Sequence, residues 1–142
     1  MRMRRLYSVQ EVLHRATLVC ADDDASVTSR VCTMLSDAYD IVATAGDGLE
    51  ALDQVLRLRP DFAILDISMP RMDGLMVARA IQDAGCLTKI IFLTLIQDED
   101  YISIARIIGD GYVLKKKISS DLVQALQYAS RGQFYCSISN SK

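Results

Sequence analysis

The residues with the clearest capacity for chemistry are three adjacent carboxylates, Asp22, Asp23 and Asp24, a fourth at Asp66, a hydroxyl at Thr94 and an ammonium at Lys115. Each stands at, or directly after, the end of a short apolar run. Adjacent carboxylates repel one another and are costly to hold near a strand edge unless something positive sits among them; a divalent cation is the usual answer. Asp24 can equally N-cap a following helix, and both readings can hold together, with Asp22 and Asp23 as the acidic site. Asp66 closes the run Phe62-Ala63-Ile64-Leu65, which reads as a strand buried on both faces. Pro70 then rules out regular pairing, and Asp73-Gly74 hands over to a helix. In open α/β sheets, ligands bind at the carboxyl ends of strands, so an Asp there is a site candidate as well as an ordinary polar strand end.

The elements that must position these side chains alternate along the chain. A first strand at Thr17 to Ala21 leads into a helix over about 25–37, with Val27, Val31, Met34, Leu35 and Ala38 on the helical period. A strand at about 40–44 precedes Asp47 and Glu50, spaced like a capping box, and a helix striped by Leu49, Leu52, Val55 and Leu56. The central strand, 61–66, is followed by a helix from about Gly74 to Ala84 that ends near Gly85. The fourth strand runs from Lys89 to Thr94 and the fourth helix covers about 99–108. The fifth strand, Tyr112 to Leu114, stops at Lys115, and the fifth helix begins near Ser119 or Ser120. Five strand–helix alternations without an internal repeat predict an α/β fold: a doubly wound, five-stranded parallel sheet with helices on both faces. Residues 1–15, with Arg2, Arg4 and Arg5, read as an N-terminal extension, 16–131 as the domain, and 132–142 as a linker-like tail.

Composition narrows the function classes. The chain has 142 residues, 51% hydrophobic and 24% charged, enough for one domain with a sizeable core. A net charge of −2 argues against a nucleic-acid-binding domain, which is usually basic. No run approaches a membrane span and no signal peptide is evident, so a cytoplasmic protein is expected. Cys20, Cys32, Cys86 and Cys136 are widely spaced, without a CxxC pair, which argues against a zinc site, a redox pair or a disulfide framework. Cys20, in an apolar strand, reads as a buried free thiol. The only histidine, His14, has no ligand-spaced partner and is expected at the surface.

Four of the five strands end in reactive side chains, and a parallel sheet puts all those ends on one edge. The motifs ADDD at 21–24, LDISMPRMDG at 65–74, FLT at 92–94 and GYVLK at 111–115 together resemble the receiver domain of two-component response regulators. The resemblance spans about 16–131 and implies a flavodoxin-like (βα)5 receiver fold. It also implies that Asp66 takes a phosphoryl group from a histidine kinase or phosphotransfer protein. Asp22, Asp23 and Asp66, with the backbone carbonyl of Ser68, would hold Mg²⁺, Asp22 through water. Lys115 would neutralise the phosphoryl oxygens, and Thr94 and Tyr112 would act as the switch. On this reading the chain is a phosphoacceptor signalling domain rather than an enzyme. A dehalogenase-type phosphatase needs an Asp where Ser68 stands. A flavodoxin-like cofactor binder would want a Gly- and hydroxyl-rich loop after the first strand, where this chain is acidic. The more serious rival is a receiver-fold interaction module that is no longer phosphorylated.

Some positions depart from the family pattern. Leu95 follows Thr94 where a small residue is usual, and with Ile96 it is expected to slow phosphoryl loss. Lys116 stands where many receivers carry Pro, and with RGQFYCS at 131–137 this leans toward receivers of LuxR-type (NarL-like) regulators. Those regulators carry a helix-turn-helix domain after the receiver, so the full-length protein is a candidate transcriptional regulator while this domain itself is not expected to bind nucleic acid. In the fourth helix, Ile102 points nearly opposite Ile104 and Ile108 at about 100° per residue, so at least one isoleucine is expected to face solvent, a second copy or an effector.

Overall fold

The computed structural model describes residues 15–138; His14, the arginines at positions 2, 4 and 5, and the tail from 139 to 142 lie outside them. Five strands and five helices alternate: β1 (Thr17–Ala21), α1 (Ala25–Leu35), β2 (Asp40–Ala45), α2 (Gly48–Leu58), β3 (Phe62–Leu65), α3 (Gly74–Asp83), β4 (Lys89–Thr94), α4 (Glu99–Ile108), β5 (Gly111–Leu114) and α5 (Ile118–Ser130). A sixth strand, β6 (Tyr135–Cys136), follows. The sheet is parallel throughout, in the order β2-β1-β3-β4-β5-β6.

The order follows from the burial each strand demands. β3 and β5 are buried at every residue, as strands covered on both faces must be, whereas β2 alternates and takes the edge. Period-two alternation sorts the side chains between two cores. Leu18, Cys20, Phe62, Ile64, Ile91 and Leu93 pack with α1 and α5 on one face. Val19, Ala21, Ala63, Leu65, Ile90 and Phe92 pack with α2, α3 and α4 on the other. Asp24, Asp47, Asp73 and Asp98 each N-cap a helix through a carboxylate that accepts a backbone amide. Glu50 completes a box-like arrangement at α2 by accepting the Gly46 amide at 2.9 Å.

Three expectations are corrected. The sheet has six strands rather than five, because Tyr135 and Cys136 leave the tail and pair with Gly111 and Tyr112. Two residues are too short a run to show a period. Second, a turn of 3₁₀ helix, Lys115–Lys117, links β5 to α5, which therefore starts at Ile118, before Ser119. Third, Ile102 and Ile108 do not oppose one another. With Ala105 they lie at i, i+3 and i+6, roughly a 120° arc, and all three are buried. The isoleucines left in solvent are Ile104 and Ile107, at 43% and 76% exposure.

Candidate phosphoryl-acceptor site

The site lies where β1, β3, β4 and β5 end. β1 pairs with β3 so that Ala21 sits beside Leu65, and the following carboxylates, Asp22 and Asp66, therefore emerge side by side. The Asp66 amide donates to the Ala21 carbonyl at 3.0 Å, which extends the ladder one rung into the site. One carboxylate oxygen from each of Asp22, Asp23 and Asp66 lies within 4.8 Å of the others. Asp22 and Asp66 are buried and Asp23 is exposed, so the cluster opens to solvent on one side. Asp24 turns away to cap α1, accepting from the Ser26 amide and hydroxyl at 3.0 and 2.7 Å. The two readings of the acidic run thus hold together.

Lys115 enters from the end of β5. Its Nζ stands 2.8 Å from Asp22 Oδ2 and 3.1 Å from Asp66 Oδ2. Desolvation works to lower the ammonium's pKa, but the two carboxylates outweigh it and hold it above its ordinary value. Burial, and then the Asp22 charge, push Asp66 up to about 6 against the pull of Lys115. The contact with Asp22 Oδ2 is close but not aligned as a hydrogen bond, and that buried oxygen has no hydrogen-bond partner. One ammonium thus faces two of the three clustered carboxylates, and the cluster keeps a net negative charge. Hard oxygen donors with uncompensated negative charge are the donor set a divalent cation takes, so the residues fit Mg²⁺.

The loop after β3 is held by close backbone approach. A Cβ on Gly74 would stand 2.2 Å from the Asp66 carbonyl oxygen, and one on Gly48 would stand 1.8 Å from that of Met72. The Gly74 amide donates to the Ile67 carbonyl at 2.8 Å and the Gly48 amide to that of Pro70 at 3.2 Å. The start of α2 therefore supports the loop that carries Ser68, whose amide donates to Asp66 Oδ1 at 3.2 Å. Gly48 was not singled out from sequence; a glycine opening a helix carries no sign of the loop it will meet.

Thr94 is fully buried at the end of β4, and its Oγ1 accepts the Ile96 amide at 3.0 Å. Tyr112, also fully buried, donates its hydroxyl to the Ile96 carbonyl. Burial raises the phenol to about 12. Leu95 projects outward at 77% exposure and lines a small pocket of about 90 Å³ with Thr94, Gln97, Leu114, Lys115 and Lys116. Every strand-end residue expected from sequence is therefore present at one rim.

A doubly wound α/β domain with a carboxylate cluster, a lysine and a hydroxyl at the carboxyl rim of its sheet is the class that these elements define. The chain belongs to the response regulator receiver domain family, which its residues 18–127 match. It is 37% identical over 122 residues to the oxygen regulatory protein NreC of Staphylococcus epidermidis, covering 83% of this chain and 56% of that protein. NreC of Staphylococcus aureus is 36% identical over the same length. The chain thus spans little more than half the length of the curated relatives it matches. Among solved structures, the signal receiver domain of the response regulator NarL from Mycobacterium tuberculosis superposes with a TM-score of 0.78 at 28% identity, covering 84% of this chain and 98% of that one. A LuxR-family DNA-binding response regulator from Staphylococcus aureus gives 0.76 at 27%, covering 80% and 98%. These likenesses place the chain among NarL-like receivers. No helix among the described residues is long and apolar enough to cross a membrane.

Proposed function

We propose that Asp66 accepts a phosphoryl group from a histidine kinase or phosphotransfer protein, and that Thr94 and Tyr112 convert the modification into a change of surface. The observation that carries this reading is the convergence of Asp22, Asp23 and Asp66 at the strand ends, with Lys115 paired to Asp22 and Asp66. In the step, an Asp66 carboxylate oxygen forms a bond to phosphorus as the P–N bond to the donor imidazole breaks, and the imidazole leaves with a proton. A carboxylate approaching an anionic phosphoryl group needs charge neutralisation and in-line positioning, and little else.

Asp23 and Asp66 would hold Mg²⁺ directly, Asp22 through water, and the Ser68 carbonyl would complete the protein's share. When bound, that ion would supply, with Lys115, the positive charge that the phosphoryl oxygens need. Lys115 is already charged and already within reach of Asp66, so it needs no rearrangement to meet the transferred group. The Thr94 hydroxyl now accepts from Ile96 and keeps its own proton free to donate to a phosphoryl oxygen. A rotation of the Thr94 side chain that carries its hydroxyl toward the phosphoryl group would give up the Ile96 bond and release the residue that Tyr112 also holds. That makes a two-state element biased by the −1.5 to −2 charge, roughly, of a phosphoryl group. The output would be a change at α4, where Ile104 and Ile107 are exposed to a second copy or an effector. Because the relatives include a regulator called DNA-binding, the full-length protein is proposed to regulate transcription through a segment other than this one.

Incubation with Mg²⁺ and acetyl phosphate, followed by intact-mass measurement, tests the reading. One added phosphoryl group in wild type and none in Asp66→Asn is expected. An unmodified wild type would favour an interaction module that is not phosphorylated.

A further inference from the structure

We infer that Ser137 and Asp121 form a buried latch that positions Lys115, so that docking of the C-terminal strand and occupancy of the acidic site are coupled; this rests on the acceptor reading above. Asp121 and Ser137 are each only 7% exposed, and neither takes part in the chemistry proposed for Asp66. The Ser137 hydroxyl donates to Asp121 Oδ2 at 2.7 Å and that of Ser120 to Oδ1 at 2.7 Å. Burial works against the Asp121 charge, but these donors, with the Tyr135 hydroxyl and the Lys117 charge, outweigh it and hold the carboxyl below its ordinary range. A buried carboxylate stripped of such a donor is costly, which gives the tail a strong reason to stay docked.

Ser137 also grips β5. The ladder between β5 and β6 ends at Tyr112 and Cys136, and Ser137 carries it one rung further. Its amide donates to the Tyr112 carbonyl at 2.9 Å, and its Oγ accepts the Leu114 amide at 3.1 Å. Leu114 is bonded to Lys115. Beyond it, Lys117 Nζ donates to the Ser137 carbonyl at 3.3 Å. One serine of the tail therefore fastens the chain on both sides of Lys115.

The same strand touches the switch. Phe134, Cys136 and Ile138 pack against the apolar cluster that contains Tyr112. The Arg106 guanidinium of α4 lies 4.7 Å over the Phe134 ring, and Tyr135 meets Tyr128 of α5 edge-on at 5.1 Å. A movement of Tyr112 or α4 changes what the strand packs on. By linkage, whatever loosens the strand then loosens Lys115, and occupancy of the site alters the strand's hold by the same factor.

Two measurements on the full chain decide the matter. In wild type, hydrogen exchange at the Ser137 and Leu114 amides, with Mg²⁺ alone and with Mg²⁺ plus beryllofluoride, should differ about fivefold or more while β2 amides stay constant. Phosphorylation at saturating acetyl phosphate should slow about tenfold in Ser137→Ala, because Lys115 loses its anchor. Asp121→Asn, which keeps an oxygen for Ser137, should return to within about threefold of wild type while Asp121→Ala does not. A purely structural role would lower stability and leave the rate of the folded molecules unchanged. Phosphorylated wild type with unchanged exchange, or with an unchanged Ser137→Ala rate, would overturn the latch alone. A wild type that takes no phosphoryl group would overturn the acceptor reading and the coupling with it.

Discussion

The hydroxyls of Thr94 and Tyr112 hold the two polar groups of one residue: Thr94 accepts the amide of Ile96, and Tyr112 donates to its carbonyl. Neither hydroxyl can change partner without freeing Ile96 on that side. A strand-end hydroxyl and a ring buried one strand away are thus joined through a single loop residue.

The Ile96 amide should therefore report the switch. In wild type its exchange is expected to accelerate when Mg²⁺ and beryllofluoride are added, since Thr94 leaves it. In Thr94→Ala that amide should already exchange fast and respond little, although Asp66 still takes a phosphoryl group. Tyr112→Phe removes one partly buried hydrogen bond and should cost about 1 kcal/mol in urea unfolding. An Ile96 amide indifferent to beryllofluoride in wild type would remove this coupling from the account.

Asp66 carries a pH signature. Its carboxyl is raised to about 6 in the fold, so between its ordinary 3.8 and 6 the folded chain holds a proton that the unfolded chain has lost. Stability contributed by that proton is present below pH about 4 and lost as pH rises through 6. Asp66→Asn lacks this penalty. In chelator at pH 8 it should melt about 5 °C above wild type, and the gap should close as pH falls toward 4. Mg²⁺ should raise the melting temperature of wild type at pH 8 and leave Asp66→Asn nearly unmoved. Equal melting temperatures at pH 8 in chelator would show that the carboxylate is not strained by its neighbours.

The rim of this site could be read from sequence because its residues are set by two local facts: a strand ends, and a polar side chain follows. Asp22, Asp66, Thr94 and Lys115 each needed only that, and parallel pairing brought them together. What could not be read depends on contacts distant in the chain. Ser137 sits in a serine-rich tail, and nothing local distinguishes it from Ser139; its role comes from Asp121 and Leu114. Gly48 looks like any helix-opening glycine until Met72 is set against it. The inward face of α4 is hidden from the sequence for a different reason. Four isoleucines and an alanine over one helix fill more than one face, and only the packing against the sheet says which face is inward.

That face makes a mutational contrast. Ile102→Lys would bury an ammonium in the core beside α4 and should unfold the domain or cost roughly 3 kcal/mol or more. Ile107→Lys acts on a side chain that is 76% exposed and should leave stability within about 0.5 kcal/mol. If α4 meets a second copy, Ile107→Lys should also shift sedimentation of the phosphorylated chain toward monomer. Unchanged sedimentation would remove this face as the self-association surface.

Leu95 tests phosphoryl lifetime. It lies next to Thr94 and over the small pocket that reaches Lys115, and its exposure leaves it free of any structural duty. Ile96 is different: its backbone ties Thr94 to Tyr112 and its side chain packs toward the core. Replacing both with small polar residues would alter shielding and switch together. Leu95→Ser changes shielding alone. It should open a path for water to the phosphorylated Asp66 and shorten the half-life of the acyl phosphate about threefold, an effect of under 1 kcal/mol on the barrier. Stability should be unaffected. Decay followed by intact mass at constant Mg²⁺ gives the answer, and a half-life equal to that of wild type would mean the leucine shields nothing.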